Sequence, residues 1–253
     1  MSQMPAHDVY LEPFFGSGAV FFNKPKCKIE TLNDIDKNIT NLFSVIRSNP
    51  KELAYGVEFT PYSRECYETS EVSLSAEEVT DLERARLFLV RCWMGRGGKT
   101  ADKTGWRHNV NPTSTHAVKD WNSLPSQIIQ ISKQLKDAQI ENKDAVDLIK
   151  AYNRPDCLIY ADPPYLGNTR TKRHYAHEMM QESEHRALLE ALNHHQGYVI
   201  LSGYESDLYE EMLCGWQKVK VTTRTENPKC QKIEVTWLNP AIAHQQRQLT
   251  LEI

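Results

Sequence analysis

The sequence lacks any apolar run long enough to cross a bilayer, and its opening MSQMPAHDVYLEP has no basic region followed by an apolar core. Neither a membrane helix nor a secretory leader is therefore expected, and a cytoplasmic location is. Cysteine is sparse and scattered. Residues 27, 66, 92, 157, 214 and 230 form no C-x-x-C pair, which argues against a disulfide framework or a zinc site and predicts small buried apolar side chains. His174, His177 and His185 fall close together, but their spacing fits no zinc-binding helix motif and Arg and Lys surround them. Surface or groove histidines are expected, and no metal. The stretch GRGGKT is too short between Gly95 and Gly98 to be a phosphate-cradling G-x-x-x-x-G-K-[ST] loop, so a site that cleaves nucleotide phosphates is disfavoured. Internal repeats and low-complexity segments are missing too.

What is present reads as a globular protein. The 253 residues are 40% hydrophobic and 25% charged, enough for one large domain or a core carrying an inserted lobe. Short apolar runs ending at polar or turn residues occur at VYLE (9–12), KIETLN (28–33), AQIEN (138–142), CLIYA (157–161) and YVILS (198–202), the pattern of buried parallel strands. DKNITNLFSVIRS, DAVDLIKAYN and SEHRALLEALNHH carry apolar residues at helical spacing between them. This alternation predicts an α/β sheet with helices on both faces. Two late runs, QKVKVTT and KIEVTWL, suit a terminal hairpin. The rhythm breaks over residues 55–135, where a long helix, expected to start from a Ser75/Glu78 capping box, leads into a Gly-rich basic stretch and a further helix. We expect this segment to be a mainly helical inserted lobe, with 1–54 and 136–253 forming the sheet domain.

The first strand runs into EPFFGSGAVFF, where Gly16 and Gly18 permit a tight turn and close approach of backbone to a ligand. The third glycine of a dinucleotide fingerprint is absent, so alone this is a weak signal. Asp34, at the end of the second strand, is placed to accept from both hydroxyls of a ribose. Asp36 is its competitor, with helix capping as its structural alternative. Asp144 is open to two readings: contact with an adenine, or the cap of DAVDLIKAY.

The stretch YADPPYLG follows the fourth strand. Its residue types suit one chemistry. An exocyclic amine on a base is a poor nucleophile because its lone pair is delocalised into the ring, and acceptors aimed at its hydrogens favour the tetrahedral geometry needed for attack. Asp162 supplies one acceptor. The Pro163 carbonyl supplies another, held by the extended backbone that Pro163 and Pro164 impose, and Tyr165 offers a face for stacking. Groups pre-aimed at developing charge lower a barrier without reorganising. A base inside a duplex must be rotated out to reach such a cradle. Although the net charge is −3, basic residues cluster in RCWMGRGGKTADKTGWRH and NTRTKRHYAH. Arg96, Lys99, Arg107, Arg170, Lys172 and Arg173 are the candidates for phosphate contact; solvated surface is the alternative for each. Trp93, Trp106 and Trp121 are expected in the core.

YLEPFFGSGAVFF, NDID and ADPPY, in that order and with a long segment between the second and third, resemble the Dam-type N6-adenine DNA methyltransferases, particularly those of phages and prophages. The likeness extends over TPYSRECYE, RARLFLVRC, GWR, QIENKDA, VILSGY, DLYEEML and EVTWLNP. It implies a Rossmann-like sheet that uses S-adenosylmethionine, adenine N6 in duplex DNA as acceptor, and the inserted lobe as the target-recognition region. It also implies that Glu12, Pro13, Phe14, Phe15, Gly16, Gly18, Asp34, Ile35, Asp144 and Ala145 serve the cofactor, and that Asp162, Pro163, Pro164 and Tyr165 are catalytic. Family members usually carry a Lys- and Gly-containing segment ahead of the first strand, and only nine residues precede Tyr10. Three readings are open: the chain is shortened and lacks an N-terminal segment that completes the cofactor site, a protein partner supplies the piece, or cofactor binding is weak. Methylation of RNA adenine or cytosine N4, and a catalytically silent DNA-binding or regulatory subunit, are the alternative readings.

Overall fold

The computed structural model describes residues 4–74, 78–96, 104–111, 116–166, 179, 181–222 and 233–251. Seven strands, β1 (Val9–Glu12), β2 (Ile29–Asn33), β3 (Ala138–Glu141), β4 (Cys157–Ala161), β5 (Tyr198–Gly203), β6 (Gln217–Thr222) and β7 (Ile233–Leu238), form one sheet in the order β3-β2-β1-β4-β5-β7-β6. Helices α1 (Lys37–Ser48), α2 (Pro50–Glu58), α3 (Arg64–Leu74), α4 (Asp81–Met94) and α5 (Ala117–Leu135) fall between β2 and β3 in the chain. Then come α6 (Ala145–Ala151), α7 (Glu182–Asn193), α8 (Asp207–Met212) and α9 (Pro240–Leu251). β1 pairs in parallel with β2 on one side and β4 on the other, and β4 pairs in parallel with β5. β7 is antiparallel to β5 and to β6, so the two late runs pair as expected. The architecture is the Rossmann-like α/β sheet that the sequence alternation predicts.

Why these runs are strands is visible in their burial. All four residues of β1 are buried, as a central parallel strand requires. Val9 and Leu11 share one core with Cys157, Ile159, Val199, Leu201 and Trp237, and with leucines of α6, α7 and α8. Each fully buried aliphatic side chain there contributes about 1.5–3 kcal/mol. Because alternate strand residues point to opposite faces, Tyr10 and Glu12 occupy the other side of β1.

Two compact units divide the chain. Asp36–Ile140 forms one, and the described residues on either side form the other. The first unit takes in α1 and α2 as well as the segment 55–135. Within it α1 packs on α4 and α5, α2 on α5, and α3 on α4. α5 buries Trp121, Leu124, Ile128 and Leu135 at helical intervals, and the Trp121 indole N–H donates to the Thr60 carbonyl at 3.0 Å. Trp121 is thus core, as expected, whereas Trp93 and Trp106 are only partly buried.

Three expectations need correction. α4 does not start from a Ser75/Glu78 box: it begins at Asp81, and the Thr80 hydroxyl caps it by accepting from the Glu83 N–H at 3.2 Å. Thr80 supplies the oxygen a helix start needs and lies next to the first apolar turn; Ser75 lies outside the described residues. Among the described cysteines Cys157 is buried, Cys27, Cys66 and Cys92 are partly exposed and Cys214 is exposed; Cys230 is outside the described residues. His185 is no surface residue either. It is fully buried, its ring nitrogens bonded to the Tyr209 hydroxyl (2.9 Å) and the Met179 carbonyl (3.1 Å), and burial holds its pKa below the usual histidine value. Its position on the buried face of α7 outweighs its polar neighbours in sequence. His174 and His177 lie outside the described residues.

A buried amide ties together the loops at the C-terminal ends of the strands. Asn33, 1% exposed at the end of β2, donates from Nδ2 to the carbonyls of Pro13 (2.9 Å) and Lys143 (3.1 Å). Its Oδ1 accepts from the Lys143 N–H (2.8 Å). Exposed Asn142 adds bonds from its Nδ2 to the carbonyls of Asp34 (2.7 Å) and Ile35 (3.0 Å). An unsatisfied buried polar group costs about 1–3 kcal/mol, so Asn33→Ala should lower stability by about 2–4 kcal/mol in urea denaturation. Asn142→Ala, where water replaces the amide, should cost less than about 1 kcal/mol. Equal losses would show that Asn33 has no special role.

Candidate active site

In the strand order β1 and β4 are neighbours, while the chain passes from β1 outward to β2 and β3 before returning to β4 and β5. The order reverses between these two strands, and ligands of open α/β sheets bind in the crevice at the C-terminal ends of strands at such a point. There the sequence places its two motifs. Glu12 ends β1 and leads into the glycine loop; Asp162 follows β4 immediately.

The glycine loop is built from within. The Phe15 N–H donates to the Asn33 carbonyl at 2.8 Å, and the Gly16 N–H donates to Asp34 Oδ2 at 2.9 Å. Gly16 (φ 51°) and Gly18 (φ 69°) both take the left-handed conformation. They differ in what surrounds them. A Cβ on Gly18 would lie 2.5 Å from the Phe15 ring and 2.6 Å from Phe22, whereas one on Gly16 would meet nothing within 4 Å. Gly18 is therefore required by packing and conformation together, and Gly16 leaves an open approach to its backbone. Pro13 and Phe15 are buried, and Phe14 packs in part on the central core. These three act as the footing of the turn.

Glu12, expected near the cofactor, is buried. Only 2% exposed, it accepts from the Tyr10 hydroxyl at 2.7 Å. Burial, opposed by that bond and reinforced by the negative charge of Asp162, pushes its carboxyl up to about 8. Buried Lys24 sits 4.2 Å above the Tyr10 ring and is ion-paired with Glu30. Asp162 itself, directly after β4, is exposed and Pro163 is buried. The Tyr165 ring meets Tyr204, which follows β5, at 4.4 Å and 54°.

The structure thus brings Glu12, Gly16, Asp34 and Asp162 to one end of the sheet. Asp34 is partly buried, and Ile35 beside it is 46% exposed. Asp36 is the N-cap of α1, accepting from the Asn38 N–H at 2.8 Å. Asp144 caps α6, its Oδ1 accepting from Val146 (2.9 Å) and Asp147 (3.1 Å), with Ala145 as the first helical residue. In the unit Asp36–Ile140, Arg96 is exposed while Arg107 pairs with Asp120 at 2.8 Å. Lys99, Arg170, Lys172 and Arg173 lie outside the described residues. Sequence reasoning missed Asn33, Tyr10, Lys24 and Tyr204. An asparagine closing an apolar strand run was the available signal for Asn33, and an aromatic just past a strand end, as in DPPY, for Tyr204.

Among the described residues no cluster of side chains could hold a metal ion, and no helix is long and apolar enough to cross a membrane. The model of a protein family described as D12 class N6 adenine-specific DNA methyltransferase matches residues 1–227. The Type II methyltransferase M1.LlaDCHI of Lactococcus lactis subsp. cremoris is 25% identical over 237 residues, covering 87% of this chain and 81% of that protein.

Two stability measurements check the local account. Gly18→Ala should cost about 3 kcal/mol or more, since it adds a clash to the roughly 1–2 kcal/mol conformational penalty that alone applies to Gly16→Ala. Glu12 has a folded pKa above its unfolded value, so its contribution is complete below the ordinary carboxyl range and is lost as pH rises through about 8. Between pH 5 and 9 the wild type should lose on the order of a few kcal/mol relative to Glu12→Gln. Parallel pH profiles for the two proteins would refute the assignment.

Proposed function

The chain belongs to the D12 class of N6 adenine-specific DNA methyltransferases, and from that premise we propose that it takes its methyl group from S-adenosylmethionine and delivers it to an adenine rotated out of duplex DNA. One observation carries the reading: Asp162 leaves β4 beside β1, at the reversal point of the sheet and within the electrostatic reach of Glu12. When bound, the donor supplies an electrophilic methyl group on a sulfonium sulfur.

The residues present fit that group. Open space at Gly16 admits an adenosyl ligand to the loop backbone, with Pro13, Phe14, Phe15 and Gly18 holding the turn. A carboxylate offers about four acceptor sites, so Asp34 can hold Gly16 and ribose hydroxyls together. Ile35 gives an exposed apolar surface for the adenine ring, with Asp144 and Ala145 at the next strand end. Acidic Glu12 and Asp162 favour a cation between the two strands.

For the acceptor, Asp162 and the Pro163 carbonyl take hydrogen bonds from the N6 amine, Pro164 fixes the backbone, and Tyr165 stacks on the base with Tyr204 as a second ring. Residues 55–135 serve as the recognition lobe. Arg96 there, with Lys99, Arg170, Lys172 and Arg173, neutralises phosphates, and Arg107, paired with Asp120, is a further contact.

Duplex oligonucleotides incubated with protein and donor should yield N6-methyladenine by mass spectrometry. Asp162→Ala should reduce the rate by about 10²–10³-fold or more with donor affinity nearly unchanged. Asp34→Ala should chiefly weaken donor binding. If both variants lost donor binding alone, this division of roles would be wrong.

A further inference from the structure

We propose that Glu12 matches charge in the donor site: it releases its proton when a sulfonium-bearing adenosyl ligand binds and holds it against the neutral thioether, so the site tells fresh donor from spent product. This rests on the reading of the β1/β4 crevice as the S-adenosylmethionine site.

Several elements face the Glu12 carboxyl. From its own strand, Tyr10 donates a hydrogen bond at 2.7 Å. From the segment after the glycine loop come the Phe21 backbone N–H and the ammonium of Lys24. Lys24 is itself ion-paired with Glu30 of β2. From β4 and the turn after it come Tyr160, whose hydroxyl is held above its ordinary range chiefly by burial and then by Asp162 and Glu12, and Asp162 itself. Lys24, ion-paired with Glu30, draws the carboxyl down without outweighing burial, so ionising Glu12 still leaves two carboxylates sharing one site. Like charges at close range disfavour joint ionisation, and a cation brought beside them reverses the preference. The effect is large because Glu12 is 2% exposed and water screens little there.

The reaction changes exactly the charge that this arrangement senses. As methyl transfer breaks the sulfur–carbon bond, its electron pair stays on sulfur, which becomes a neutral thioether. The new nitrogen–carbon bond uses the N6 lone pair, so the positive charge moves to nitrogen and one N6 proton must leave. Glu12 regains one proton in each cycle and loses one at the next donor binding, which balances. In the resting protein, burial and Asp162 hold the carboxyl at about 8, so near neutral pH it mostly retains its proton.

The test is isothermal titration calorimetry of the full chain with S-adenosylmethionine and with S-adenosylhomocysteine, from pH 6 to pH 9, in two buffers of different ionisation enthalpy. For the wild type, the affinity for S-adenosylmethionine should rise by up to about tenfold per pH unit below about pH 8, with close to one proton released per ligand at pH 7. S-adenosylhomocysteine should release far less. The ligands' own amino groups titrate near this range, so the decisive quantity is the difference from Glu12→Gln, in which slope and discrimination should both shrink. The wild-type proton count stands even if that variant folds poorly. Should neither ligand bind, the donor-site reading itself fails. Should both bind while wild type and variant share one pH profile, or the wild type release no extra proton for the sulfonium, the site stands and the charge-matching role is overturned.

Discussion

Parallel pairing of β1 on both of its edges is the constraint on which the rest of the molecule depends. A strand bonded on one side to β2 and on the other to β4 has no free edge, must be buried on both faces, and must deliver its C-terminal residue to the middle of the sheet end. Everything chemical follows from that delivery. The glycine turn, the acid after β2 and the acid after β4 come from distant parts of the sequence, and they converge because their strands are in register with β1. Backbone geometry, not side-chain attraction, assembles the site; nearness to Asp162 raises the Glu12 carboxyl rather than drawing the two acids together.

The polar groups beneath the crevice show how such a site is held. Asn33 satisfies three backbone groups of two different loops from one buried side chain, so it fixes loop positions without adding charge. Glu12 does the opposite. It is kept in low dielectric with a hydroxyl, a backbone N–H and the Lys24 ammonium for company, and burial still makes its ionisation costly. A rigid neutral clamp and a strained acid therefore lie within one strand end of each other, the first giving shape and the second giving the site its response to ligand charge.

Much of this was legible in the sequence. The strands could be read because parallel strands appear as unbroken apolar runs, and their limits were recovered to within a residue or two. DPPY and the glycine turn could be read because proline, glycine and a carboxylate at a strand end have few structural uses together. What escaped was set by tertiary surroundings. His185 looked like a surface residue because its neighbours in the chain are polar, yet α7 turns it inward against Tyr209. Thr80 was passed over for Ser75 because two adjacent segments offer similar capping chemistry, and only the helix's packing selects between them. Glu12 and Tyr10 gave no sign of their pairing, since a two-residue separation in a strand means a shared face only once the strand is known to be buried.

The ends of the Gly-rich basic stretch carry one more implication. Arg96 N–H bonds the Gly105 carbonyl (3.0 Å) and Arg107 N–H the Met94 carbonyl (2.7 Å), while Tyr62 anchors the Arg107 carbonyl at 2.6 Å. The first two bonds join main chain to main chain, closing the ends of the stretch on each other and on α4, and are indifferent to the side chains between. Lengthening a segment whose ends are pinned costs only about 0.6 kcal/mol per doubling. Substitutions and insertions between Arg96 and Gly105 therefore cost α4 and the helices packed on it little, because the fastening resides in main-chain groups that every sequence supplies.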